Sequence, residues 1–169
     1  MLGKALASST LAGMFLTAVG AGAAAVTFQD TGHLSSLSFP VESWPLPGTG
    51  CSPGFWKTHL GPWTLTGYSP EWTVQDVFEV PDEYGLDTDT LLAALDYEGG
   101  GGADGGAGIL LRAAVAALLN AAHPDVDYPR TPGEVVDDVN TALSSGDRDV
   151  MIALKDELDI DNNLGCPLE

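Results

Sequence analysis

Residues 107–123 form the stretch that most limits what this chain can fold into. Apolar residues recur there at helical spacing, and further leucine and alanine residues fill the neighbouring face, so the predicted helix is apolar on nearly every side. A helix that is apolar on every side is stable in water only when other secondary-structure elements cover it. With 17 residues and Arg112 among them, the stretch is short and charged for a membrane span. The sequence therefore predicts a central domain helix, with one stripe formed by Leu111, Val115, Leu118, Leu119 and Ala122.

Shorter patterns predict helices that pack around this central one. Thr131-Pro132-Gly133-Glu134 is a capping box with proline at the first helical position, and Ser144-Ser145-Gly146 ends the helix that it starts. Residues 147–158, 88–97 and 73–79 also space their apolar residues at helical intervals. The inward-facing residues of the two C-terminal helices are predicted to be Val135, Val136, Val139, Ala142 and Leu143, then Val150, Met151, Leu154 and Leu158.

The fold class follows from these patterns. No stretch alternates convincingly between apolar and polar residues, as a half-buried strand would. We therefore expect an all-α domain, a compact bundle of four to six helices with loops rich in glycine and proline. The glycine-rich run 99–106 is predicted to be a flexible hinge between two of these helices, since phosphate-binding glycine loops follow a strand and end in Gly-Lys-Ser/Thr.

The N-terminal 50 residues differ from the rest in composition. Lys4 precedes an apolar run that ends in small residues, which is typical of a cleaved secretory signal peptide. We assign residues 1–25 to a signal peptide, residues 26–50 to a Ser/Pro/Gly-rich linker and residues 51–169 to the helical domain. A retained membrane anchor is the alternative for the first segment. The predicted location is extracellular, free or at the cell surface, with no stable membrane span in the mature chain.

Charge narrows the range of partners. The chain has 6 Lys and Arg against 24 Asp and Glu, a net charge of −18. Nucleic acids and anionic membranes bind basic surfaces, so neither is an expected partner. The acidity fits a saline setting, in which solvated carboxylates keep a protein soluble. Cation binding is the alternative, and Asp159, Asp161 and Asn163 match three positions of a calcium loop, but Leu164 stands where that loop needs glycine. We predict no metal site and no cofactor.

Two cysteines, Cys51 and Cys166, stand at the two ends of the predicted helical block. In an exported chain, the simplest interpretation of such a pair is that the two cysteines form a disulfide. A closed zinc site would need two more ligands. We therefore predict that one disulfide ties the beginning of the domain to its end.

Four separated motifs carry a resemblance to a known kind of protein. They are Cys51-Ser-Pro-Gly-Phe-Trp-Lys-Thr-His59, the stretch 113–123, Tyr128-Pro129, and Asn162-Asn-Leu-Gly-Cys-Pro-Leu168. Together they resemble an uncharacterised module of exported microbial proteins that opens with Cys-x-Pro-Gly-Tyr/Phe-Trp-Lys-x-His. This resemblance implies an extracellular helical domain and brings no catalytic residue with it. Residues 25–31, Ala-Val-Thr-Phe-Gln-Asp-Thr, are similar to the stretch that follows the signal peptides of the TasA and camelysin class of secreted fibre proteins.

One aromatic and basic cluster offers a candidate ligand site. Trp56, Lys57, His59 and Trp63 lie close together in sequence, which suits stacking on a sugar or binding an anion. The other interpretation is structural, with the aromatic rings covering the disulfide and Lys57 paired with an acid. His123 stands at the predicted end of the central helix, where a cation is favourable. No catalytic residue is predicted.

Three functions follow, in order of preference. The first is a secreted, non-enzymatic structural or adhesive module that assembles with itself or attaches to the cell envelope. The second is an extracellular domain that binds a glycan or a small ligand through the aromatic and basic cluster. The third is a hydrolase with an unrecognised carboxylate or histidine site. The expected partners are accordingly a second copy of the chain, another extracellular protein, or a glycan.

Overall fold

The computed structural model describes residues 48–169 and two short strands nearer the N-terminus. These strands, β1 (Ala18–Val19) and β2 (Ala23–Ala24), pair antiparallel. The remainder of residues 1–47 lies outside the described part of the chain, and with it lie most of the predicted signal peptide and linker. The assignments of those two segments remain predictions.

Five α-helices build the domain. They are α1 (Pro53–Thr58), α2 (Leu91–Ala94), α3 (Gly102–Ala122), α4 (Pro132–Ser144) and α5 (Arg148–Asn162), with short 3-10 turns at Pro62–Leu65, Val74–Asp76 and Asp82–Tyr84. Between residues 48 and 169, strand pairing is limited to isolated bridges joining Gly50 to Gly165 and Thr73 to Thr90. The prediction of an all-α bundle is confirmed.

Helix α3 is the centre of the bundle, as its all-round apolar pattern predicts. It packs against each of the other four α-helices, and most of its residues are buried. At 21 residues it is long and apolar enough to cross a membrane, but 72% of its most apolar window is buried inside the domain. The neighbouring helices thus supply the apolar surroundings that this sequence requires.

The prediction of a flexible glycine hinge at 99–106 is wrong in its second half. Helix α3 begins at Gly102, five residues before the predicted start, so the last glycines of the run form its first turns. These positions need glycine because backbones approach closely there: a Cβ on Gly105 would lie within 3.0 Å of the Gly100 backbone, and one on Gly106 would contact Arg148 and Met151 of α5. The glycines at these positions therefore allow the start of α3 to pack closely against the preceding backbone and against α5.

Substitution of these glycines tests that account. We expect Gly105→Ala to lower the free energy of unfolding by about 1–3 kcal/mol, because the added methyl group overpacks the contact with Gly100. Gly108→Ala is the matched control in the same helix, where a Cβ would make only ordinary contacts of 3.6 Å and beyond. That control should gain about 0.5–1 kcal/mol from helix propensity. Denaturant unfolding measures both, and equal effects of the two substitutions would contradict the close-packing account.

Helices α4 and α5 form largely as predicted. The Thr131 hydroxyl accepts the Glu134 N–H at 3.3 Å, and the Glu134 carboxylate accepts the Thr131 N–H at 2.8 Å, which completes the capping box. These bonds to Thr131 lower the pKa of Glu134. The prediction that Val150 faces inward is wrong, since its side chain is 44% exposed and lies outside the buried stripe of α5. Helix α5 also runs four residues past its predicted end at Leu158.

Candidate functional site

The disulfide joins the two ends of the helical block. Cys51 and Cys166 are bonded across a sequence separation of 115 residues, with their Cα atoms 4.4 Å apart, which confirms the predicted pairing. Beside it, the Gly50 N–H donates to the carbonyl of Gly165 at 3.0 Å. The two ends of the domain therefore meet at one place.

Residues 48–50, predicted as the end of a linker, belong to the folded domain. The Thr49 N–H donates to the Asp127 carbonyl at 2.7 Å, and the Thr49 hydroxyl accepts the Asp127 N–H at 2.8 Å. A Cβ on Gly50 would collide with the carbonyl of Asp161. The domain thus starts before Cys51, because the chain ahead of that residue is packed and hydrogen-bonded.

A buried asparagine of α3 holds the disulfide segment in place. The Asn120 side chain is fully buried; its Oδ1 accepts the Cys51 N–H at 2.9 Å and the Trp56 indole N–H at 3.0 Å. Its Nδ2 donates to the Cys51 carbonyl at 2.8 Å and to Asn162 Oδ1 at 2.9 Å. All four hydrogen-bonding positions of the amide are filled. A polar group is stable at such depth only when it is satisfied in this way.

A second buried asparagine carries this network to α5. Asn162 Nδ2 donates to the carbonyl of Ala113 at 3.0 Å, and its Oδ1 also accepts the Tyr128 hydroxyl at 3.0 Å. Burial raises the pKa of Tyr128, and the nearby Asp161 carboxylate raises it further. The phenol therefore stays protonated and donates. We call Cys51, Trp56, Asn120, Tyr128 and Asn162 the core network.

The two tryptophans of the candidate ligand cluster lie inside the domain. Trp56 is fully buried and Trp63 is 1% exposed. The indole N–H of Trp63 donates to the Trp56 carbonyl at 3.0 Å, and the two rings meet edge to face at a centroid distance of 6.4 Å. A sugar stacks on an exposed ring face, and neither indole offers one. Their burial favours the structural interpretation of the two rings.

Lys57 and His59 lie at the surface of the same segment. The Ser52 hydroxyl caps α1 by accepting the Phe55 N–H at 3.3 Å, and Pro53 follows at the first helical position. The His59 ring stacks on Phe55, four residues earlier, with the ring centroids 4.4 Å apart. Lys57 forms an ion pair with Asp96 in which both side chains are largely exposed. The structure brings the four cluster residues together but divides them between core and surface.

His123 plays a different part from the cationic cap predicted for it. It is 3% exposed, at the end of α3, and its Nδ1 accepts the backbone N–H of Asp125 at 3.2 Å. That hydrogen bond requires an unprotonated Nδ1. The residue therefore organises the turn after α3 as an acceptor.

Carboxylates dominate the surface of the domain. Residues 48–169 hold 22 of the 24 acidic residues and five of the six basic ones. Arg130 alone binds Asp138, Glu157 and Asp161, at 2.9–3.0 Å. Burial opposes the charge of Arg130, but its hydrogen bonds to Asp161 and Glu157 prevail and raise its pKa. Most of the remaining carboxylates face water without a cation.

The calcium-loop positions lie in and just after helix α5. Asp161 pairs with Arg130, Asp159 pairs with Lys155, and the Asn163 amide donates to the Asp159 carbonyl at 2.7 Å. The two carboxylates are thus engaged by side-chain cations. Among the described residues, no group of three or more His, Cys, Asp and Glu side chains is placed to hold a metal ion.

Salt should stabilise a domain with this surface. We expect the melting temperature to rise by a few degrees between low and moderate NaCl concentration, because screening weakens repulsion among carboxylates. Sucrose at matched osmolality, which does not screen charge, is the control. EDTA should leave the melting temperature unchanged, and a large drop would indicate a bound cation. Destabilisation by NaCl would mean that the ion pairs outweigh the repulsion.

A surface cleft lies where α1, α3 and α5 meet. Its volume is about 400 Å³, and its wall includes Ser52, Ile109, Arg112, Lys155, Asp159 and Asn163. Clefts of about 300–1,000 Å³ commonly hold small ligands. No local pattern in the sequence indicates this cleft, because its polar residues come from three distant segments that the fold brings together.

Sequence reasoning also missed the roles of Asn120 and Asn162. The usable signal was a single asparagine in an otherwise apolar stretch, since a buried amide needs partners.

All four motifs of the suggested exported module contribute to the core network or the disulfide beside it. The likeness to that module and to the secreted fibre proteins remains a prediction. A scan against protein-family models, a search of curated proteins and a search of solved structures each found no match.

Proposed function

We propose that the chain is a secreted, non-enzymatic structural or adhesive module that assembles with itself or attaches to the cell envelope. The observation that carries the proposal is the core network. The most distinctive side chains of the four sequence motifs belong to this network. Their hydrogen bonds hold the disulfide segment against α3 and α5. A domain built in this way serves as a stable scaffold outside the cell, where disulfides persist.

An exposed apolar stretch supports association. Three of the five large apolar side chains exposed on the described domain, Leu60, Leu65 and Trp72, fall within residues 60–72. The Trp72 ring packs edge to face on Tyr68 at a centroid distance of 5.9 Å, which holds it in place at the surface. These three side chains lie within 13 residues of the sequence, and exposed apolar side chains that form a continuous patch mark contact surfaces. We call residues 60–72 the apolar segment.

The test begins with the protein recovered outside the cell. N-terminal sequencing should place its first residue between Ala21 and Phe28. Light scattering after size exclusion, with electron microscopy of the same fractions, should find assemblies larger than one chain or chains attached to envelope fragments. A free monomer without envelope association would overturn the proposal, as would an intact Met1 in the membrane fraction.

Matched variants then locate the contact. Leu65 is 58% exposed in the apolar segment, and Ile160 is 68% exposed on α5, so serine at either position costs little folding energy. Leu65→Ser should weaken assembly, while Ile160→Ser should leave it intact, and both should keep the parent melting temperature. The reverse result would assign the contact to α5.

A further inference from the structure

We propose that the cleft between α1, α3 and α5 binds a small hydroxylated carboxylate of the sugar-acid class, with Arg112 as the residue that recognises the carboxylate. Arg112 lines the cleft and forms no ion pair with any residue between 48 and 169. In the same domain Arg130 engages three acids. Among residues 48–169, which carry 22 acidic residues, no carboxylate neutralises this guanidinium, so it is available to an anionic ligand.

The other polar groups of the cleft suit hydroxyls. Lys155 is neutralised by Asp156 and Asp159, each at 2.9 Å, so it adds little positive charge to the wall. The Asp159 carboxylate keeps a second oxygen as an acceptor. Asn163 uses its amide N–H in the bond to the Asp159 carbonyl, which leaves its Oδ1 for a donor from a ligand. These acceptors match hydroxyl donors.

The apolar part of the wall suits the carbon frame of a sugar ring. Pro53, Ile109 and Ala113 line the cleft beside the polar groups. Pro53 belongs to the opening motif and Asn163 to the closing one, so both conspicuous ends of the domain contribute to the wall. This combination of one free cation, hydroxyl acceptors and apolar atoms describes a sugar acid better than a simple salt ion.

Charge favours a single carboxylate over a phosphate or a polyanion. The guanidinium fork matches the planar carboxylate group through paired hydrogen bonds. The Asp159 carboxylate in the cleft, and the excess of 22 acidic over five basic residues in residues 48–169, would repel a dianion more strongly than a monoanion. The ligand is therefore a small molecule or a chain end with one negative charge.

Titration of the mature protein with D-glucuronate, followed by ¹⁵N–¹H NMR, tests this proposal. We expect saturable shifts at the amides of Gly54, Ile109 and Asn163. Glucose, which lacks the carboxylate, should cause no saturable shift, and acetate should bind more weakly than glucuronate. Arg112→Gln should raise the glucuronate Kd about tenfold or more, the usual effect of losing a charged hydrogen bond.

Arg148→Gln is the matched control for this experiment. It changes the net charge equally, but Arg148 lies outside the cleft and donates to the Gly100 carbonyl at 3.2 Å. Its Kd for glucuronate should equal that of the parent, and both variants should keep the parent circular dichroism spectrum. The proposal fails if glucuronate gives no saturable shift, if the shifts lie outside the cleft, or if both variants bind as the parent does. Equal binding of acetate and glucuronate would overturn recognition of the hydroxyls.

Discussion

Replacing Trp56 with alanine is expected to lower the free energy of unfolding by about 3–5 kcal/mol. The ring is fully buried against Phe55 and Trp63, so its removal leaves a large cavity. The substitution also removes the indole donor from Asn120 Oδ1. Urea unfolding, or failure of the variant to be secreted, measures the effect.

Two further variants separate the causes. Trp72→Ala removes an indole that is 43% exposed and should cost far less, because little buried surface is lost. Trp56→Phe keeps most of the ring volume and should lose less than alanine does. If Trp56→Ala left stability unchanged while abolishing adhesion or glycan binding, the structural interpretation would be wrong and the ligand-binding function would replace it.

Replacing both cysteines with serine is expected to lower the free energy of unfolding by about 4–5 kcal/mol in the chain-entropy model. The large value reflects the 115-residue separation of Cys51 and Cys166, since the bond restricts most of the unfolded chain. The Cys51 segment stays docked in the native state through Asn120. The helical spectrum at low temperature should therefore remain, while the melting temperature falls markedly.

Reduction provides the control for that experiment. Dithiothreitol should lower the melting temperature of the parent protein toward that of the double serine variant and should leave the variant itself unchanged. Free thiols in the secreted protein, or a parent protein indifferent to reduction, would contradict the expected role of the bond.

Local patterns account for the parts of the fold that were predictable. The capping box at Thr131 and the apolar stripe of α4 depend on residues within a few positions of each other, and both form as expected. The glycine run was misjudged for a different reason. Glycine indicates flexibility when only the sequence is known, and the close packing of this run is visible only in the structure, where Gly106 lies against Arg148 and Met151 of α5.

The candidate site was less predictable because it depends on contacts between distant residues. Asn120 lies 69 residues from Cys51 and 42 from Asn162, and nothing local pairs their side chains. In the sequence, Arg112 serves only as an argument against a membrane span, and its position on the cleft wall follows only from how α1 and α5 pack against α3. Residue types could be noted in advance, but their partners could not.

The meeting of the two domain ends has a mechanical consequence. Tension applied to the chain on either side of Cys51 and Cys166 would pass directly through the covalent bond and would leave the helices between them unloaded. The disulfide thereby prevents the extension of the 115 residues between the two cysteines, which would span about 380 Å at roughly 3.3 Å per residue. A pulling force would therefore not extend the domain as long as the disulfide stays intact.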